Sequence, residues 1–118
     1  MQKIYHLSTC DTCKRIIKEL DPANAVIYQD IKTKPIDVKQ LEVLRGFSGS
    51  YQALFSKRAR LYKERALKEQ TLTEQDYKEL LLEHYTFLKR PVIVNQDQIF
   101  IGNSKKVVAQ AKISLQNK

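Results

Sequence analysis

The opening of the chain constrains its fold more than any other stretch: "QKIYH", then "STCDTCKRIIKEL", then "AVIYQDI". Residues 2–6 read as a short strand. From Asp11 the apolar positions Cys13, Ile16, Ile17 and Leu20 recur at i, i+3, i+4 and i+7, the spacing of one helix face. Lys14, Arg15 and Lys18 fall on the wet side. "DPAN" at 21–24 is a turn cluster that stops the helix, and 25–31 supply a second strand. Strand, helix, strand in this order predicts a right-handed crossover and a parallel pair.

The middle of the chain reads as helical. Asp37 followed by Gln40 is a cap signal ahead of Val38, Leu41 and Leu44. After "GFSGS" an apolar stripe runs through Tyr51, Leu54, Phe55 and Tyr62, with Arg58 on it. Thr73 and Asp76 open a further helix whose inner face is Tyr77, Leu80, Leu81, His84 and Leu88. The end returns to strands: "PVIVN" and "QIFIGN" flank a short turn at Gln96–Asp97 and predict an antiparallel hairpin. A final amphipathic helix carries Val107, Val108, Ala111 and Leu115. This order is that of an α/β thioredoxin-like (glutaredoxin-like) fold. It predicts a mixed four-stranded sheet with helices on both faces and a helical insertion at about 36–88.

At 118 residues the chain suits one domain, 1–118, and can bury a core without cross-links. Two cysteines are too few for a disulfide-rich secreted scaffold. "MQKIYHLS" lacks the apolar core of a signal peptide, and no stretch approaches the ~20 apolar residues of a membrane span. A cytoplasmic protein is expected. Lys and Arg number 21 against 13 Asp and Glu, a formal charge of +8 that favours anionic partners. The tail "NSKKVVAQAKISLQNK" has four lysines and no acid. No aromatic residues interleave with them, so solvated helix faces account for the charge better than a nucleic-acid site does.

Both cysteines fall in "STCDTCK". Cys10 ends the loop after the first strand, and Cys13 lies one turn into the helix. At that place a sulfur meets unpaired helix N–H groups and the positive end of the macrodipole, which lowers a thiol pKa; Lys14 and Arg15 add to the effect. Cys13 is close enough to displace an adduct on Cys10 as a disulfide. A structural disulfide would close a tiny loop and gain little. A zinc site would need four ligands, and one C-x-x-C with His6 and His84 falls short of finger spacing. The location favours a reactive thiol pair over two inert buried cysteines.

His6, four residues before Cys10, reads either as a polarising neighbour of the thiol or as a satisfied strand-end histidine. His84 on its stripe reads as a core histidine. Arg58 is either a snorkelling arginine or a guanidinium turned to grip an oxyanion. Pro91 opens a strand expected beside the first, an unusual place for proline, where a cis Arg90–Pro91 peptide would be purposeful.

Together "YHLSTCDTCK", "LFSKRARLYKE" and "FLKRPVIVNQDQIFIGN" resemble the arsenate reductase (ArsC) family of the glutaredoxin-linked type, which also contains the Spx-type transcription regulators. The resemblance covers nearly the whole chain. It implies a thioredoxin fold, Cys10 as the catalytic thiol, Cys13 as the resolving thiol and His6 as the residue that tunes the nucleophile. Arg58, Arg90 and Pro91 are implied on the substrate side, gripping a small oxyanion. No bound metal or cofactor is implied; glutathione/glutaredoxin or thioredoxin would supply electrons to a monomer. Ser56 and Gly102 stand where the best-known reductases carry arginines, Arg58 takes the place seen in Spx-like members, and Cys13 is typical of the Spx branch and of many reductase-like relatives. The Spx branch implies the alternative function, a redox-sensing regulator that binds the RNA polymerase α subunit.

Overall fold

The computed structural model describes residues 1–22 and 26–116; the end of the predicted turn cluster and the first residue of the predicted second strand lie outside them. Four strands form one sheet in the order β2-β1-β3-β4: β1 (Gln2–His6), β2 (Ile27–Asp30), β3 (Val92–Asn95) and β4 (Gln98–Ile101). The parallel pair expected from the opening is β1 with β2, Lys3 opposite Ile27 and His6 opposite Asp30. β1 runs antiparallel to β3, Ile4 opposite Ile93, and β3 and β4 form the expected hairpin. The sheet is mixed, and the fold is thioredoxin-like α/β.

The chain divides into two compact units, a frame of residues 1–34 with 90–118 and an insertion of residues 35–89. In the frame, α1 (Asp11–Leu20) and α5 (Lys105–Gln116) pack with each other and on one face of the sheet. Ile16 and Leu20 from α1 and Val108, Ala111 and Leu115 from α5 close over Ile4, Ile93 and Val26. Each large aliphatic side chain buried this way contributes about 1.5–3 kcal/mol. Tyr5, Val92 and Val94 on the opposite face are buried as well. α5 is also fastened by a polar anchor: the buried Asn95 amide donates to the Ser114 carbonyl (3.0 Å) and hydroxyl (2.9 Å), and that hydroxyl donates to Gln98 (2.7 Å).

The insertion holds α2 (Val38–Ser48), α3 (Arg60–Glu64) and α4 (Glu74–Glu83). Both cap signals become reciprocal capping boxes. The Gln40 N–H donates to Asp37 at 2.7 Å and the Asp37 N–H to Gln40 at 3.3 Å, and Thr73 and Asp76 exchange the same pair of bonds. Such caps are worth about 0.5–2 kcal/mol each. α2 stops at Gly49, whose φ of 92° suits glycine. At the centre Phe55 stacks on Phe87 (5.3 Å between centroids), with Tyr77 at 4.9 Å and Tyr62 at 5.9 Å.

Two predicted helical stripes are interrupted. Between Tyr51 and Tyr62 the chain forms a short 3₁₀ turn at Gln52–Leu54, then extends. The Ser56 N–H donates to the Phe87 carbonyl (2.7 Å) and the Lys89 N–H to the Leu54 carbonyl (2.8 Å), with Phe55 bridged to Leu88. This pairing takes the backbone out of the helix, and Arg58 becomes an exposed turn residue instead of a member of an apolar stripe. Likewise α4 ends at Glu83, and His84 and Leu88 lie beyond it. His84 is extended (φ −150°); its Nδ1 accepts from the Thr86 N–H at 3.1 Å, capping a 3₁₀ turn at Tyr85–Phe87, and its ring stacks on Tyr85. Val38, in the first turn of α2, is exposed while Leu41 and Leu44 are buried.

Candidate active site

β1 ends at His6, and buried Leu7 is followed by exposed Ser8 and Thr9. The Cys10 N–H donates to the Leu7 carbonyl at 3.0 Å, which turns the chain sharply into α1. Cys10 is the N-cap residue, with extended backbone (φ −91°, ψ 116°), and its carbonyl accepts the first helical bond from the Lys14 N–H at 3.1 Å. Both cysteines are free thiols, Cys10 partly exposed and Cys13 fully buried.

This arrangement drives the two thiols apart. Burial pushes the Cys10 thiol up, but the Cys13 N–H, the Cys13 side chain, the Thr12 N–H and the Arg90 charge together outweigh it, so its pKa falls below the ordinary value. Cys13 goes the other way. Burial pushes it up to about 11, the negative charge of Cys10 adds to that, and a backbone hydrogen bond with Leu7 and the Arg90 charge oppose it. The thiol at the helix mouth ionises first, and its neighbour stays protonated.

The structure brings Arg90 to both thiols from 80 and 77 residues away in sequence. The β1–β3 pairing makes this possible, because Arg90 enters β3 through Pro91. The Arg90–Pro91 peptide is cis, and Pro91 is buried. Arg90 Nε is buried without a hydrogen-bond partner among the described residues. An unmet buried donor of this kind costs about 1–3 kcal/mol, which an anion can relieve. Lys14 and Arg15, expected to act on Cys10, are exposed; the cation that acts on it is Arg90.

His6 is oriented toward β2. Its ring meets Tyr28 edge-on at 5.8 Å, and it stands opposite Asp30 in the parallel register. Arg58 is exposed in the insertion, its N–H donating to the Ser56 hydroxyl at 3.3 Å. Gly102 has φ 93° and donates its N–H to the Pro91 carbonyl at 2.9 Å. Although the space around it is open, that backbone disfavours an arginine there. Asp30 was not singled out in the sequence, although the parallel register sets it opposite His6 and near the start of the thiol loop. Among the described residues no cluster of three or more His, Cys, Asp and Glu could hold a metal ion, and no helix is long and apolar enough to cross a membrane.

A C-x-x-C at the mouth of the helix that follows the first strand, with a cis-proline entering β3, defines a protein of the thioredoxin-fold class. The sequence matches the ArsC family over residues 5–111, and the chain belongs to that family. Among solved structures, a Staphylococcus aureus protein is 30% identical (TM-score 0.72), the match covering 93% of this chain and 97% of that one. An ArsC-family-related protein of Bacteroides fragilis is 23% identical (TM-score 0.77; 93% and 96% covered), and an arsenate reductase of Vibrio cholerae is 23% identical (TM-score 0.76; 93% and 96% covered). Among curated proteins, none matches the sequence.

Proposed function

We propose that the protein is a cytoplasmic, monomeric thiol oxidoreductase that works as one domain and reduces a small oxyanion of the arsenate type through Cys10. The observation that carries this reading is the inequality of the two thiols. Cys10, partly exposed beside helix N–H groups and the Arg90 guanidinium, has its pKa lowered, while Cys13 is held as a buried thiol one turn away. The Arg90 charge that lowers the thiol also suits an oxyanion, whose central atom the sulfur would attack.

In the first step the Cys10 sulfur bonds to arsenic and a water leaves, with no change of oxidation state. A second thiol then attacks the Cys10 sulfur. An S–S bond forms, the S–As bond breaks, and its electron pair stays with arsenic, which departs as arsenite. If the second thiol is glutathione, glutaredoxin reduces the mixed disulfide; if it is Cys13, thioredoxin reduces the internal one. His6, from the family resemblance, tunes the nucleophile. Arg58 enters by the same route, and Arg58→Ala is expected to weaken anion affinity less than Arg90→Ala does.

The test follows NADPH consumption by the reduced protein with arsenate, coupled in parallel to glutathione/glutaredoxin and to thioredoxin/thioredoxin reductase. Turnover in either system that disappears in Cys10→Ser supports the reading. No turnover in both systems, with retention of the RNA polymerase α subunit on the immobilised protein, would replace it with a regulator.

A further inference from the structure

Thr12 and Cys13 are fixed by α1, but the position of the Cys10 sulfur depends on the loop that delivers it. Ser8 and Thr9 in that loop are exposed, so packing does not fix them. Beside the Cys10 N–H bond to the Leu7 carbonyl, a side chain from β2 holds the loop. Asp30, the last residue of β2, accepts the Ser8 hydroxyl on Oδ2 and the Lys32 N–H on Oδ1 at 3.1 Å. We propose that Asp30 is a positioning residue for Cys10, gripping Ser8 so that the thiol loop holds the sulfur over the first turn of α1. The inference rests on the reading of Cys10 as the reactive thiol.

The groups around this carboxylate suit a fixed anchor. The Ser8 hydroxyl holds it below the usual carboxylate range against the opposing effect of burial. The Lys32 and Ser8 N–H groups act in the same direction as the hydroxyl, and His6 nearby adds the least. His6 stands opposite Asp30 in the parallel register, with its ring edge-on to Tyr28. The Ser8 hydroxyl donates to the carboxylate and not to an imidazole, so Ser8 is a tether rather than an activated nucleophile. On the other side, Cys10 is influenced by Arg90 and Cys13.

Anchoring and charge predict opposite signs, which makes the proposal testable. A bare carboxylate near a thiol disfavours the thiolate, so removing its charge alone would speed the reaction of Cys10. Removing its grip would let the loop move and slow it, since a shift of about 1 Å in a reacting group can cost up to about a hundredfold. The experiment measures Cys10 alkylation by uncharged iodoacetamide from pH 5 to 10, with the labelled site read by mass spectrometry.

Asp30→Ala and Ser8→Ala are each expected to slow labelling at pH 7 by about three- to tenfold and to move its midpoint upward. Asp30→Asn, whose amide oxygen can still accept the Ser8 hydroxyl, should stay within about twofold of the parent. The Ser8→Ala/Asp30→Ala double variant should be no slower than the slower single one, as for two members of one contact. Unchanged profiles in folded Ser8→Ala and Asp30→Ala would overturn the proposal while leaving Cys10 reactive, as would faster labelling in Asp30→Ala. Parent protein in which Cys13 is labelled before Cys10 would overturn the thiol reading itself.

Discussion

The mouth of α1 and the turn just inside it carry the same functional group and treat it in opposite ways. At the mouth, Cys10 is partly exposed, faces N–H groups that have no carbonyl partner in the helix, and feels Arg90. One turn on, Cys13 is fully buried on the stripe it shares with Ile16 and Leu20, and its pKa rises to about 11. Two cysteines separated by two residues therefore become an ionisable one and a reserve. The difference does not come from their sequence neighbours, which they share. It comes from the change of environment across a single helical turn, from unpaired amides to hydrocarbon.

The largest test of this contrast removes one sulfur at a time. Under the proposed chemistry, Cys10→Ser should lower reductase turnover by at least about a thousandfold, since a hydroxyl is a far weaker nucleophile at neutral pH. Cys13→Ser should leave glutathione-dependent turnover within about tenfold while abolishing any internal disulfide seen after mild peroxide. If instead Cys13→Ser is the inactive variant in both donor systems, the roles of mouth and interior are reversed.

Next comes Arg90, the cation that acts on both thiols. Arg90→Ala should raise the midpoint of Cys10 alkylation and weaken sulfate or arsenate binding, measured by calorimetry, by about 1–3 kcal/mol. Arg90→Lys should restore the midpoint more fully than the binding, because it keeps the charge and loses the planar fork. Equal loss in both variants would give Arg90 a packing role instead.

A smaller effect sharpens the contrast through stability. Cys13 in the folded protein ionises at about 11, above its ordinary 9.0, so above pH 9 the folded state binds more protons than the unfolded one. The contribution of Cys13 is therefore fully present below about pH 9 and is lost as pH rises toward about 11. Cys10, with its lowered pKa, contributes in the opposite sense: its part is present above the ordinary thiol value and fades as pH falls through the folded one. Urea melts from pH 7 to 11 should show less alkaline loss of stability in Cys13→Ala than in the parent; a steeper loss would count against a buried, protonated Cys13.

Smallest of all should be the change on replacing Lys14 or Arg15 by Ala. Both are exposed on α1, and exposed charges act weakly through water. The Cys10 midpoint should stay within about 0.3 of the parent value, and a larger move would show that the mouth is tuned from the helix surface as well as by Arg90.

How far the sequence could be read follows from where the deciding contacts lie. The frame was legible because its signals are local: the i, i+3, i+4, i+7 stripe of α1 and the turn between β3 and β4 appear as written, as do the two capping pairs of the insertion, which are local too. The insertion was less so. The stripe from Tyr51 to Tyr62 has helical spacing, but a pairing of Phe55 with Leu88, 33 residues away, pulls that stretch straight. His84 fits its stripe equally well, yet its imidazole caps the next turn. At the site, the motif and the family resemblance pointed to Cys10, Cys13 and Arg90. The grip of Asp30 on Ser8 was invisible, since it depends on strand register and on no motif.

β1 lies between β2 and β3, so its amides sit in the interior of the sheet. Amides in such a strand exchange with solvent deuterium only when much of the domain opens. Just beyond it, the Ser8 N–H and hydroxyl both reach the Asp30 carboxylate, so the Ser8 amide should exchange faster in Asp30→Ala than in the parent. The thiol is thus mounted on the backbone that opens last, and an adduct on Cys10 can meet a second thiol without the strand behind it yielding.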